Sequence, residues 1–200
     1  GLEIAVHDAQ LVRCHQGARD AERDLDGLRL GDRAALVDAV FEAINLPDSE
    51  CADWRDAIRG RAFSARTVLS QHRWALGLLD SRRNPGSATL RHLDAVLGVL
   101  RKAGFTLPMA AHGASLIDSY IGGYVLQEAN LPISGPVDVE EVASDILGHL
   151  PAEELPFLHE MIVDHGLSPA YDHTSEFAYG LDLILDALEA RRASAAPVLE

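Results

Sequence analysis

"SYIGGYVLQE", residues 119–128, places Gly122 and Gly123 side by side in a stretch that otherwise reads as helix. Each glycine in a helix interior costs about 1 kcal/mol relative to alanine, so the pair must be offset by packing that only a bare patch permits. Periodicity extends this helix over 107–129, with Pro108 tolerated in its first turn. Leu116, Tyr120, Gly123 and Gln127 share one face, while Ala114, Ile121, Val125 and Glu128 lie around from it. The adjacent glycines predict that another helix backbone approaches closely. The last helix, 173–192, has a matching character: Phe177, Leu181, Ile184 and Leu188 form one stripe, Leu183, Leu185 and Ala187 widen it, and Gly180 is the small-residue counterpart. Two such helices from each of two copies make a four-helix interface, so a homodimer is expected, with Tyr120 and Tyr124 packing beside the glycines.

The remaining pattern is helical as well, and no alternating β-branched run marks a strand, so the chain reads as all-α. Further helices are predicted at 8–28, Asp32 to Ile44 (Leu36, Val40, Phe41 and Ile44 on one stripe) and Asp53 to Gln71, followed by a shorter helix ending before Pro85. Ser87 to Ala103 carries Leu90, Leu93, Val96, Leu97 and Leu100 at helical spacing, and Gly104 is the expected C-terminal cap. "NLPISGPVDVEE" is the main loop, and helices at 138–148 and 152–165 precede the last one.

Composition narrows the function. The 200 residues, 48% hydrophobic and 24% charged, suit a soluble globular chain with a sizeable core. No apolar run is long enough for a membrane span, and the start lacks a basic segment followed by an apolar one, so a cytoplasmic location is expected. Cys14 and Cys51 form neither a disulfide framework nor a zinc site. The net charge of −14 argues against a polyanion as the partner of the chain as a whole. Lys102 is the only lysine among 17 basic residues, a bias that suggests a GC-rich genome. For catalysis there is no Gly-x-Ser-x-Gly elbow, phosphate loop or Cys-His arrangement, and the expectation is a protein that is not an enzyme.

Several ordered pieces carry a resemblance: Trp54 with Ile58 and Arg59, "QHRWALGLL" with "RRNPG", "LRKAGF", "SYIGGYVLQE" and "EFAYGLDLILDALEARR". Together they resemble the effector-binding and dimerisation domain of the TetR family of bacterial repressors, in its tetracycline-binding branch. The resemblance covers about 49–193, with 31–48 similar to the helix that connects to the DNA reader and 194–200 left as a tail. It implies a multi-helix ligand-binding body and a dimeric bundle built from the helices at 107–129 and 173–192. It also implies a pocket for a small, mainly apolar effector, lined by Arg61, Leu79, Arg82, Leu93, Val96, Leu97, Leu100, His112, Ser115, Ser119 and Gln127. Positions that hold the drug and its magnesium in that branch fall on Arg61, Leu79, Ser119 and Gln127, which suit a hard cation poorly. No metal or other cofactor is therefore expected.

Family members begin with a basic helix-turn-helix head. Residues 1–30 do not show one: Arg13, Arg19, Arg23 and Arg29 face six carboxylates over 1–29, a net of −2. Operator DNA is a partner only if a functional head exists; the alternative is a dimeric ligand- or protein-binding module that no longer touches DNA. Codons for Val6 to Leu11 can be chosen so that reading one nucleotide later gives Phe-Thr-Met-Arg-Ser-Leu, a family-like head opening, so a shifted frame is one account of the abrupt onset.

Other polar groups have two readings each. His159, Asp164, His165, Asp172 and His173 crowd one region without a compact ligand spacing and read as a solvated helix end and loop, against a metal site. His112 is a packed or surface histidine or a ligand contact, and His72 marks a helix junction. Arg82 and Arg83 pair with internal carboxylates or with an anionic effector.

Overall fold

The computed structural model describes residues 30–79, 86–130, 143–144, 146–168 and 173–195. Its helices are α1 (Leu30–Glu42), α2 (Trp54–Gln71), α3 (Trp74–Leu79), α4 (Ser87–Lys102), α5 (Leu107–Asn130), α6 (Pro156–Glu160) and α7 (His173–Ala195), with a π-helical segment Met161–Gly166 following α6. No strand occurs among the described residues. The expected helix at 8–28, Arg82 and Arg83, nearly all of the 130–141 loop, Asp172 and the end of the tail lie outside them.

The chain divides into two compact units, one formed by residues up to Ala129 with Ile184 onward, the other by Asn130–Leu183. Local chemistry explains the element ends of the first. Asp53 caps α2 by accepting from the Arg55 N–H at 2.8 Å. At the other end the His72 ring donates through Nδ1 to the Val68 carbonyl at 2.9 Å, the junction role its position suggested. Gly104, at φ 92°, turns α4 off: its N–H bonds the Arg101 carbonyl at 3.0 Å and the Phe105 N–H bonds the Leu100 carbonyl at 3.1 Å, a Schellman closure. The Thr106 hydroxyl then accepts from the Met109 N–H to start α5.

The core of this unit is Val37 and Val40 of α1, Ile58, Ala62 and Leu69 of α2, Val96 and Leu100 of α4, and Ile117, Ile121 and Val125 of α5. The carboxyl end of α7 closes over the turn between α4 and α5. Trp54 stands edge-on to Phe105 at 4.9 Å and its Nε1 donates to Glu189 at 3.2 Å. Arg192 donates to the Ala103 carbonyl at 2.6 Å, and its guanidinium lies 5.7 Å from the Phe105 ring centre.

Two expectations shift. The stripe on α4 is rotated from Leu90, Leu93, Val96, Leu97 and Leu100: Leu90 and Leu93 are 51% and 43% exposed, while the buried positions are Ala88, His92, Val96, Val99 and Leu100. In the second unit the helix expected over 152–165 starts only at Pro156, since residues 152–154 form a turn and proline, lacking an N–H, sits best in a first turn. It passes at once into the π-helical segment. Among the described residues of that unit Ala143, Ile162, Phe177 and Leu181 are buried, and His165 pairs with Glu176 at 3.2 Å.

Candidate functional site

Two polar side chains stand on otherwise apolar buried faces, and both belong to helices that pack against each other, α2 and α4. Arg61 shares its face with Trp54, Ala57, Ile58, Ala62, Ala65 and Leu69, and is 4% exposed. Burying a guanidinium demands a counter-charge. Asp118 of α5 supplies it, accepting from Nη1 at 2.7 Å with a side chain that is itself 47% exposed. Arg61 Nε has no hydrogen-bond partner among the described residues.

His92, also 4% exposed, occupies the α4 position one turn before Val96 and two before Leu100. Its Nε2 lies 2.8 Å from the Phe41 carbonyl at the end of α1, and the Phe41 ring meets the imidazole edge-on at 5.7 Å. A carbonyl can only accept, so Nε2 carries the proton. Burial pushes the His92 pKa below the ordinary value, helped by the Arg61 guanidinium and, more weakly, Arg91; the Phe41 carbonyl and Asp118 pull the other way without prevailing. The ring is therefore neutral with a bare lone pair on Nδ1, and Nδ1 too has no partner among the described residues.

A buried polar atom left unmet costs about 1–3 kcal/mol. Two occur in the interior, a donor on the Arg61 cation of α2 and an acceptor on His92 of α4.

The same region is fastened to α1. Gly86 offers α4 no side-chain cap, and Asp38 of α1 substitutes for one, accepting from the N–H groups of Ala88 at 3.1 Å and Thr89 at 3.3 Å and from the hydroxyls of Ser87 and Thr89. Glu42 meets Arg91 at 3.1 Å on the exposed side. Thus α1 is held to α4 at the helix amino terminus, at the surface and, through Phe41 and His92, in the interior.

Of the residues assigned to the pocket, the structure places Arg61, Val96 and Leu100 in the interior and Leu97 partly so. Leu93, His112, Ser115, Ser119 and Gln127 are exposed, the last four on α5 facing away from Ile117, Ile121 and Val125. Leu79 ends α3, but its side chain, like Arg82 as a whole, lies outside the described residues. His92 was missed. Its signal was there, since it continues the Val96 and Leu100 line at helical spacing, but a polar residue is discounted when an apolar stripe is traced.

The residues assigned to an interface divide likewise. Gly123 is exposed, with Leu116 and Leu126 beside it at 47% and 49%, and Tyr120, Gly122, Tyr124, Gly180 and Ile184 are partly exposed. Phe177, Leu181 and Leu188 are buried within the single chain. A Cβ at Gly123 would meet nothing within 4 Å, and one at Gly122 only a Leu76 methyl at 3.9 Å. Close approach inside the chain occurs instead at Gly113, where Leu188 methyls stand 3.4 Å from the Cβ position. The tyrosines touch at 5.9 Å, and Arg66 lies 5.1 Å from the Tyr124 ring centre while pairing with Glu128 at 2.8 Å. Among the described residues no three His, Cys, Asp or Glu side chains gather as a metal site, and no helix is long and apolar enough to cross a membrane.

With this geometry in place, comparison with known proteins is informative. The family model described as "Tetracyclin repressor-like, C-terminal domain" matches residues 46–192. The HTH-type transcriptional repressor DrrR1 of Streptomyces coeruleorubidus is 26% identical over 181 residues, 82% of this chain and 66% of that protein. An HTH-type transcriptional regulator of Saccharopolyspora erythraea is 31% identical over 93 residues, 46% of this chain and 39% of its own length. The chain thus spans less than two thirds of either relative. Among solved structures, the Streptomyces coelicolor TetR family protein ActR in complex with actinorhodin superposes with a TM-score of 0.66 at 22% identity, covering 83% of this chain and 78% of ActR. A possible TetR family regulator from Streptomyces coelicolor A3(2) gives 0.59 at 28% identity, covering 80% and 76%.

Proposed function

The chain belongs to the TetR family of transcriptional regulators through its tetracyclin repressor-like C-terminal domain, and from that premise we propose that it is the effector-sensing, dimerising body of a cytoplasmic repressor for a small, mainly apolar molecule. One observation carries the reading: His92 joins the interior to α1, with one ring nitrogen on the Phe41 carbonyl and the other unpartnered among the described residues. An effector taken into the interior of this unit shifts α4 against α1. Differential affinity for two placements of α1 is all that an effector needs in order to change the affinity of a DNA head joined to it. That relatives are named repressor and regulator, and that ActR has been solved with actinorhodin, supports the reading.

Dimerisation is part of this proposal. Leu116 and Leu126 are exposed on α5 on either side of the bare Gly123, and Tyr179 and Leu183 of α7 are 66% and 53% exposed.

A second reading has its own support. With a net charge of −2 over residues 1–29, the chain suits a dimeric ligand- or protein-binding module that no longer binds DNA. A gel shift with the gene's own upstream region separates the two. The repressor reading expects a complex at low salt that weakens steeply as salt rises; no complex at low salt contradicts it and favours the second.

A further inference from the structure

We infer that the amino end of α4 is a releasable joint whose cap is supplied by α1, so that docking of α1 and order in the first turn of α4 are one equilibrium, set by Asp38 and Gly86. The inference rests on the reading of α1 as the helix that carries the shift, and adds where α1 lets go and which residues set its hold.

A helix amino-terminal cap residue normally accepts, through its own side chain, from the N–H of the second or third residue of its helix. Gly86 stands at that position of α4 with the extended backbone a cap adopts, φ −76° and ψ 175°, but has no side chain to use. The two N–H groups such a side chain would serve, those of Ala88 and Thr89, instead donate to the Asp38 carboxylate at 3.1 and 3.3 Å. The carboxylate also fills the space of the absent side chain, since a Cβ on Gly86 would fall 2.2 Å from Asp38 Cγ. A side chain at position 86 and a docked Asp38 therefore exclude each other. Glycine there gives the cap to a different helix, and the cap lasts only while that helix stays in place.

Withdrawal of α1 removes from α4 both an acceptor and the negative charge that a helix amino end favours. The surface tie acts on the same turn: Arg91 pairs with Glu42 of α1 at 3.1 Å and donates to the Ser87 hydroxyl at 3.3 Å. The loss is reciprocal, because α1 is 13 residues long, a length at which a helix without partners is marginal in water. Asp38 and Gly86 are thus positioning residues for α1, and a self-capping residue at 86 shifts the balance toward the released helix while leaving α4 ordered.

The test is native-state hydrogen exchange on the whole chain, with neither effector nor DNA, in wild type, Asp38→Ala, Gly86→Ser and the double variant. Asp38→Ala is expected to lose protection several-fold at Ala88 and Thr89 and also across the amides of 35–44. Gly86→Ser caps α4 through its own hydroxyl and displaces Asp38, so Ala88 and Thr89 should stay within about twofold of wild type while 35–44 loses protection several-fold. The double variant should match Gly86→Ser, because the serine replaces the lost carboxylate for α4 and cannot replace it for α1. If Asp38→Ala does not fold, Gly86→Ser decides the matter, since its α4 keeps a cap. Protection over 35–44 that is unchanged in Gly86→Ser, or a loss in Asp38→Ala confined to Ala88 and Thr89, makes Asp38 a local cap only and overturns the joint. That result leaves the effector reading standing, whereas the expected exchange pattern together with no operator complex in the gel shift keeps the joint and removes the repressor.

Discussion

His92 donates to the Phe41 carbonyl across 2.8 Å, so an imidazole in the middle of α4 holds the last turn of α1. The bond fixes the tautomer, and burial with the Arg61 charge keeps the ring neutral. Stability follows from the sign of that shift. The folded state resists protonating His92 while the unfolded chain does not, so the protein is stabilised above the ordinary histidine value of 6.5 and loses that contribution as the pH falls through it. Arg61, Asp118 and Arg91 are the charged groups acting on the ring, and they do not reverse the direction. Urea melts at pH 7.5 and 5.5 should show a larger loss for wild type than for His92→Gln; an equal loss would contradict a neutral buried ring.

Asp38 and Gly86 make a second joint. Asp38→Ala should cost about 1 kcal/mol, the usual worth of a helix amino-terminal cap, read as a lower denaturation midpoint. A Cβ at Gly86 would fall 2.2 Å from the Asp38 carboxylate, so Gly86→Ala should displace the cap and destabilise as well. In the double variant the two losses should not add, because the second change removes what the first displaces. Full additivity would separate the two residues.

On the exposed face of α5, Gly123 has open space beyond its Cβ position and Leu116 and Leu126 flank it. Sedimentation equilibrium should return twice the chain mass of 21.6 kDa. Gly123→Leu or Leu116→Glu should shift that toward the single mass with helicity kept, since neither position is buried within the chain. A variant pair that stays fully dimeric would move the interface elsewhere.

How much of this was legible beforehand depends on what each residue's neighbours are. Helix bounds read from periodicity and caps came within a few residues: Ser87 to Ala103 against Ser87–Lys102, and 107–129 against Leu107–Asn130, because Gly104, Thr106 and Pro108 punctuate the chain locally. Of the two faces read on α5, Ala114, Ile121 and Val125 lie inside and Leu116 and Gly123 outside. The burial of His92 was legible from its helical spacing to Val96 and Leu100, but its partner was not, since the Phe41 carbonyl is a backbone atom 51 residues away that no side-chain pattern reports. Asp38 was hidden for the same reason: it caps a helix that it does not precede. His112, Ser115, Ser119 and Gln127 lie outward on α5, while the helix buries Ala114, Ile117, Ile121 and Val125.

The central claim is that His92 makes α4 and α1 move as one. Hydrogen exchange on the whole chain, comparing wild type with His92→Gln and His92→Phe, tests it most directly, read at the amides of 35–44 and at Ala88 and Thr89, whose N–H groups Asp38 holds. The account predicts a several-fold loss of protection at both places in His92→Phe and protection near that of wild type in His92→Gln. Unchanged protection across both segments in His92→Phe would contradict it.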